Sequence, residues 1–328
     1  MIYKGVVKAL VIIFCLLLPV CAFAADAADT TAEAYLLVEK DTFAVIAGKN
    51  YHTPLPPAST TKVMTTVLAL EKLDEEDTIV PTRGVLSLPA SKLSLVPGRP
   101  YRAIDLITGA MVESANDAAY SLAVGIAGSE ERFAEMMNEK AREIGALESN
   151  FENASGLYAP GHVASAYDLA LIFRYALQHK RFQEIIGTKY FLFKNGKADV
   201  QYMNHNRLLF CFAPSIGGKT GFTHASRHCY VGAFEKDGRV YILSILGSRN
   251  LWGDATEILQ QIYTNVPSQR EISLVKASNV VLADYELRHA RKIKLSSYSV
   301  KKEKKSQGKK KLRKARAKKR KHVKFRRA

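Results

Sequence analysis

Residues 34–38 and 42–47 are short apolar runs separated by Glu39-Lys40-Asp41, a pattern that predicts a β-hairpin. The run Val63-Met64-Thr65-Thr66-Val67-Leu68-Ala69-Leu70 predicts a helix from Ser59 to about residue 73, entered through Pro56-Pro57. An acidic turn at 74–77 leads into a mostly irregular stretch reaching Pro100, broken by Pro89, Pro97 and Gly98. Apolar helical patterns follow at 103–111, with Gly109 as an interruption, and at 118–126. Ser129, with Glu130-Glu131 in the first turn and Gly145 at the far end, delimits a helix to 144; Ser165 caps another over 166–177. Beyond 188 the period changes to that of strands, at 188–193, 217–223, 229–235 and 239–246, with Lys236-Asp237-Gly238 as a hairpin turn. A helix is expected at 254–263, and β-prone pieces at 272–275, 280–282 and 293–295. Terminal strands around a helical middle imply an α/β fold of the α+β type: one antiparallel sheet built from both chain ends, with a helical subdomain inserted.

Charge changes this picture at the ends. The 328 residues carry a formal +17, but seventeen Lys/Arg and one Glu fall between 301 and 327, so the body is nearly neutral. Residues 301–328 therefore read as a polybasic, disordered tail, after a short β-prone extension over 267–300 and a main domain over 25–266. At the other end, Lys4 and Lys8, an apolar stretch over 9–18 and Ala22-Phe23-Ala24 have the form of a signal peptide cleaved after Ala24. The mature protein is expected outside the cytoplasmic membrane, in the periplasm or envelope, with peripheral membrane association through the tail as an option. A basic run on a secreted protein points away from nucleic acid and towards anionic lipid or another acidic envelope polymer. Cleavage leaves Cys211 and Cys229, which could pair or remain two buried thiols. The eight histidines include no metal-ligand spacing, so neither metal nor cofactor is expected.

Candidate chemistry begins at Ala58-Ser59-Thr60-Thr61-Lys62. A serine needs a neighbouring base to become a nucleophile, and a desolvated lysine one helical turn along can supply it. Alone, the pattern is equally a Ser cap followed by a solvated Lys. Ser114-Ala115-Asn116 lies at the junction of two apolar helical patterns, where it reads either as an inward-facing polar loop or as an ordinary cap. Lys219-Thr220-Gly221 follows two glycines but is no phosphate loop, because position 213 is Ala and a strand follows.

Taken together in this order behind a leader, Ser-x-x-Lys, Ser-x-Asn and Lys-Thr-Gly resemble the three-part signature of penicillin-binding proteins and serine β-lactamases. With Asn153-Ala154-Ser155-Gly156-Leu157, Asp168-Leu169-Ala170 and Gly218 to Thr223, the chain resembles the D-alanyl-D-alanine carboxypeptidase family of low-molecular-mass penicillin-binding proteins from about Ala34 to about Tyr263. That resemblance implies a penicillin-binding-protein or β-lactamase-like fold and a penicillin-sensitive serine hydrolase trimming peptidoglycan stem peptides. It implies Ser59 as nucleophile, Lys62 as base and Ser114 as proton relay. Asn116, Lys219, Thr220, Gly221 and Phe222 would contact substrate, with the N–H groups of Ser59 and Phe222 forming the oxyanion hole and β-lactams acting as acylating inhibitors. Two departures stand out. Ser226-Arg227 occupies a place where the family usually has glycine, and the extension and tail replace a full C-terminal β domain with its amphipathic anchor. A class A β-lactamase is the nearest alternative, although Ser-Ala-Asn replaces Ser-Asp-Asn and neither Glu148 nor Glu152 sits in a Glu-x-x-Leu-Asn pattern. A non-catalytic peptidoglycan-binding relative is the other.

Overall fold

The computed structural model of the chain describes residues 29–195, 199–275 and 280–281. The expected leader, the β-prone piece at 293–295 and the basic tail lie outside the described residues. In chain order the strands are β1 (Ala34–Glu39), β2 (Val45–Lys49), β3 (Thr78–Ile79), β4 (Tyr101–Arg102), β5 (Tyr190–Lys194), β6 (Asp199–Met203), β7 (Ser215–Thr223), β8 (Arg227–Lys236), β9 (Arg239–Ser248) and β10 (Val280–Val281). The helices are α1 (Lys62–Lys72), α2 (Ala103–Val112), α3 (Asn116–Ala127), α4 (Glu130–Ile144), α5 (Ala166–Ala176), α6 (Lys180–Ile186), α7 (Leu208–Cys211), α8 (Leu251–Leu259) and α9 (Gln269–Leu274).

As expected from the pattern, both chain ends build one antiparallel sheet, in the order β2-β1-β9-β8-β7. Strand β1 is buried throughout, and its alternate residues enter two different cores. Ala34, Leu36 and Val38 face the helical layer, whereas Tyr35 and Leu37 face α8 and α9. A sheet covered on both faces explains why its strands read as continuous apolar runs. Each large side chain so buried contributes about 1.5–3 kcal/mol.

Helix α1 is buried on every side from Lys62 to Ala69, as befits the central helix of the insert. Around it, Leu106 and Ile107 of α2, Leu122 of α3, Phe133 of α4 and Phe173 of α5 complete the larger core. The predicted caps form: Ser129 Oγ accepts from the Arg132 N–H, Ser165 Oγ accepts from the Asp168 N–H, and Gly145 ends α4 at φ +88°.

Several expectations change. Helix α2 runs through Gly109 without a break, because a Cβ there would lie 2.4 Å from Leu93 Cδ1 and the missing side chain admits Leu93. The piece 272–275, expected to be β-prone, instead falls largely within α9: Ser268 and Glu271 make a reciprocal capping box and Ile272 enters the smaller core. Val280–Val281 does pair as a strand, with β6. Helix α8 begins at Leu251, three residues before the predicted start. Cys211 and Cys229 are both free thiols.

Candidate active site

Ser59 sits in a 3-10 turn, Ala58–Thr61, that leads directly into α1, whose first residue is Lys62. Thr60 Oγ1 donates to the Pro57 carbonyl at 2.7 Å and fastens the turn. Two glycines let neighbouring backbone press on it. A Cβ on Gly221 of β7 would stand 2.8 Å from the Ser59 nitrogen, and one on Gly156 would stand 1.8 Å from the Ala58 carbonyl oxygen. Gly156 also has φ +78°, so both its conformation and its surroundings require glycine.

The Lys62 amine is buried and has three neighbours: Asn116 Oδ1 at 2.8 Å, the Ser155 carbonyl at 2.7 Å and Ser59 Oγ at 2.9 Å. Carbonyl oxygens only accept. The Asn116 amide is oriented by the same logic, since its Nδ2 donates to the Pro89 and Ala90 carbonyls at 3.1 Å each. A neutral amine has two hydrogens, and these two carbonyls take both. Its lone pair is then left for the Ser59 hydroxyl. Burial first, and the nearby charge of Lys219 second, hold Lys62 well below its ordinary value, against the opposing pull of Asp117 and Glu130.

Ser114 lies between α2 and α3 at φ +63°, and Asp117 secures that junction by accepting from the Leu93 and Leu95 N–H groups. The buried Lys219 amine donates to Ser114 Oγ at 3.0 Å and to the Thr220 carbonyl at 2.7 Å. Burial pushes Lys219 down to about 7, with the Glu113 carboxylate opposing the shift. Both amines are thus pushed towards the neutral form, Lys62 by burial and by the charge of Lys219, and Lys219 by burial against the pull of Glu113.

Ser59, Ser114, Asn116, Thr220, Gly221 and Phe222 all line one cleft of about 440 Å³, and Lys62 and Lys219 reach its serines from beneath. Segments far apart in the chain therefore meet around one hydroxyl. Asn116 gives the site its carbonyl. With both amide hydrogens on the 89–90 loop, its expected bond to substrate backbone needs one of these to be exchanged. The cleft wall also carries His205, Arg207, His228 and Trp252, which the motifs did not single out. The polar run Asn204-His205-Asn206 was the only available signal. At the departure from the glycine pattern, Arg227 itself adopts the left-handed backbone, φ +53°, at a cost of roughly 1 kcal/mol, and its guanidinium pairs with Glu33 at 2.7 Å.

A family model described as D-alanyl-D-alanine carboxypeptidase matches residues 21–250. The chain belongs to the D-alanyl-D-alanine carboxypeptidase family. The D-alanyl-D-alanine carboxypeptidase DacF of Bacillus subtilis is 30% identical over 262 residues, covering 78% of this chain, which spans 63% of that relative's length. DacB2 of Mycobacterium tuberculosis is 32% identical over 238 residues, 70% of this chain and 81% of that protein. Among solved structures, a D-alanyl-D-alanine carboxypeptidase from M. tuberculosis superposes with a TM-score of 0.70 at 29% identity, covering 79% of this chain and 98% of its own.

For this member of the carboxypeptidase family the two lysines predict a bell-shaped pH profile. With Lys62 as the expected base, its protonation would set the acid limb, and loss of the Lys219 ammonium would set an alkaline limb of kcat/KM near its value of about 7. Stability should run the other way. Folding lowers the lysine value, so between about 7 and 10.5 the unfolded chain binds the extra proton and stability rises with pH. Urea titrations should show the wild type gaining roughly 2 kcal/mol more than Lys219→Met between pH 7 and pH 9. Equal gains would mean that Lys219 keeps an ordinary value.

Proposed function

We propose that the chain is a serine DD-carboxypeptidase that removes the terminal D-alanine from peptidoglycan stem pentapeptides. One observation carries this reading: the three neighbours of the Lys62 amine are the Asn116 and Ser155 carbonyl oxygens and Ser59 Oγ, so that in its neutral form the two hydrogens go to the carbonyls and the lone pair faces Ser59 Oγ in an open cleft. Ser59 Oγ attacks the carbonyl between the two D-alanines while Lys62 takes its proton. The negative oxygen is held by the N–H groups of Ser59 and Phe222, a placement supported by the close passage of Gly221 past the Ser59 nitrogen. As the C–N bond breaks, Ser114 passes a proton to the leaving amine and recovers one from Lys219. Thr220, on the cleft wall, donates to the terminal carboxylate and so restricts the site to chain ends. Water then attacks the acyl-enzyme, giving its proton through Ser114 to the neutral Lys219 amine. As the acyl C–O bond breaks, the Lys62 ammonium returns a proton to Ser59 Oγ, and both lysines regain their starting states.

The carboxypeptidase relatives support the same chemistry. Against a class A β-lactamase, neither Glu148 nor Glu152 lines the cleft, and Glu148 pairs with His52 at 2.9 Å. Purified protein should release one D-alanine from a stem pentapeptide, and labelled penicillin should leave a slowly released adduct that mass spectrometry places on Ser59. Rapid penicillin turnover would favour the β-lactamase. Absence of both D-alanine release and an adduct would favour a non-catalytic binding role.

The reading places the enzyme outside the cytoplasmic membrane, on the strength of its leader-like N-terminus and its family. No helix among the described residues is long and apolar enough to cross a membrane. The basic run 301–327 suits an anionic envelope surface, at about 1 kcal/mol per residue near charged lipid. Deleting 301–328 should lower retention on anionic vesicles or cell walls at low salt and have little effect at high salt. Unchanged retention at low salt would leave the tail without that role.

A further inference from the structure

The segment 150–164 touches the nucleophile turn at three points. The Ser155 carbonyl accepts from Lys62, Gly156 lies against the Ala58 carbonyl, and His162 reaches Thr61. Backbone pairs at both edges anchor the segment: Asn150 with Val163 at 2.9 Å, and Leu55, just upstream of the turn, with Ala164 at 3.0 Å. Asn153 Oδ1 shapes its tip by accepting from the N–H groups of Ser155, Gly156 and Leu157.

His162 is 2% exposed and supplies the one side chain among the three contacts, and no catalytic step uses it. Its Nδ1 lies 3.1 Å from the Glu152 backbone N–H, which can only donate. The ring proton must therefore sit on Nε2, 2.8 Å from Thr61 Oγ1, so His162 donates to Thr61. Phe151 meets the ring edge-on at 5.6 Å and fixes its plane. Thr61 lies between the two reacting groups in sequence, two residues after Ser59 and one before Lys62.

We propose that His162 is a positioning residue for the acylation step: as a neutral imidazole it links the backbone of 150–164 to Thr61 and so holds Ser59 Oγ against the Lys62 lone pair. The inference rests on the reading of Ser59 as nucleophile given above. Lys62, approaching from α1, is the charged side chain that acts on the ring, and a cation there favours the neutral imidazole. Burial, with Lys62 second, pushes the imidazole down to about 4, so it stays neutral across the working range. A second proton would turn Nδ1 from acceptor to donor against the Glu152 N–H and break the link.

The test is a double-mutant cycle on Thr61→Val and His162→Ala, with His162→Gln as the conservative variant, all in the mature enzyme. Active sites are first counted by covalent penicillin labelling, so that losses of folded protein are divided out. Each single substitution should lower kcat per labelled site by roughly 10- to 100-fold with KM within twofold, as expected for a misaligned nucleophile. The double variant should lose no more than either single one. His162→Gln, which can accept and donate at once, should recover most of the rate. Thr61→Val is nearly isosteric, so it decides the matter even if the histidine variants fold poorly. A rate per labelled site within twofold of wild type in Thr61→Val, or losses that multiply in the double variant, would overturn the proposal. A wild-type enzyme that neither labels nor turns over would instead overturn the assignment of Ser59.

Discussion

Lys62→Met is expected to lower the rate of acylation by penicillin, and of D-alanine release, by about a thousandfold while leaving a folded protein. Methionine has nearly the volume of lysine and suits a fully buried position. What disappears is the lone pair facing Ser59 Oγ, and removal of a positioned general base costs between 10² and 10⁴ in rate. Stability should move little, because two effects oppose. The Asn116 and Ser155 carbonyls lose their donor, at about 1–3 kcal/mol, but the protein is relieved of a desolvated amine. Lys62→Arg should not rescue activity, since a guanidinium stays protonated and has no lone pair to offer. Labelling kinetics on purified variants, together with thermal melts, separate the two effects. A methionine variant labelled within tenfold of the wild-type rate would place the base elsewhere.

Gly156→Ala should damage both stability and rate. The new Cβ would fall 1.8 Å from the Ala58 oxygen and 2.8 Å from Thr61 Oγ1, and the residue would hold φ +78°. The first obstacle is backbone and cannot rotate away, so either the 153–157 turn or the nucleophile turn must shift. Overpacking and backbone strain together cost about 3–5 kcal/mol, a fall in Tm of roughly 10 °C. A displacement approaching 1 Å at Ser59 should cost a further hundredfold in acylation among the molecules that remain folded. Gly145→Ala is the matched control. Its φ of +88° is as unfavourable to alanine, but nothing lies within 4 Å of the added carbon, so only about 1 kcal/mol and no change in rate are expected. If both variants behaved alike, conformational strain rather than the contact with Ala58 would account for the requirement.

How much of this was legible in advance depended on range. Caps at Ser129, Gly145 and Ser165 and the hairpin at 236–238 depend on residues a few positions apart, and they formed where the pattern placed them. The short α6 offered too few turns for a helical period, and α9 was masked by its β-prone composition although the Ser268/Glu271 box was present in the chain. Gly109 looked like a break because only the packed Leu93 shows why glycine is there.

The amino-acid order alone determined the two-ended sheet with its helical insert and the three motifs, because both are written in local periodicity and residue type. It also placed Lys62 within reach of Ser59, since one helical turn joins them. The tertiary structure alone decided that this amine is held well below its ordinary value, because that shift follows from burial and from Lys219 on a distant strand. Folding likewise supplied its acceptors, Asn116 and the Ser155 carbonyl, 54 and 93 residues away. It also decided that His162, an unremarkable residue in an irregular stretch, stands behind the nucleophile. Spacing along a chain can bring two side chains onto one face, but solvent exclusion and the direction of a lone pair belong to the packed whole.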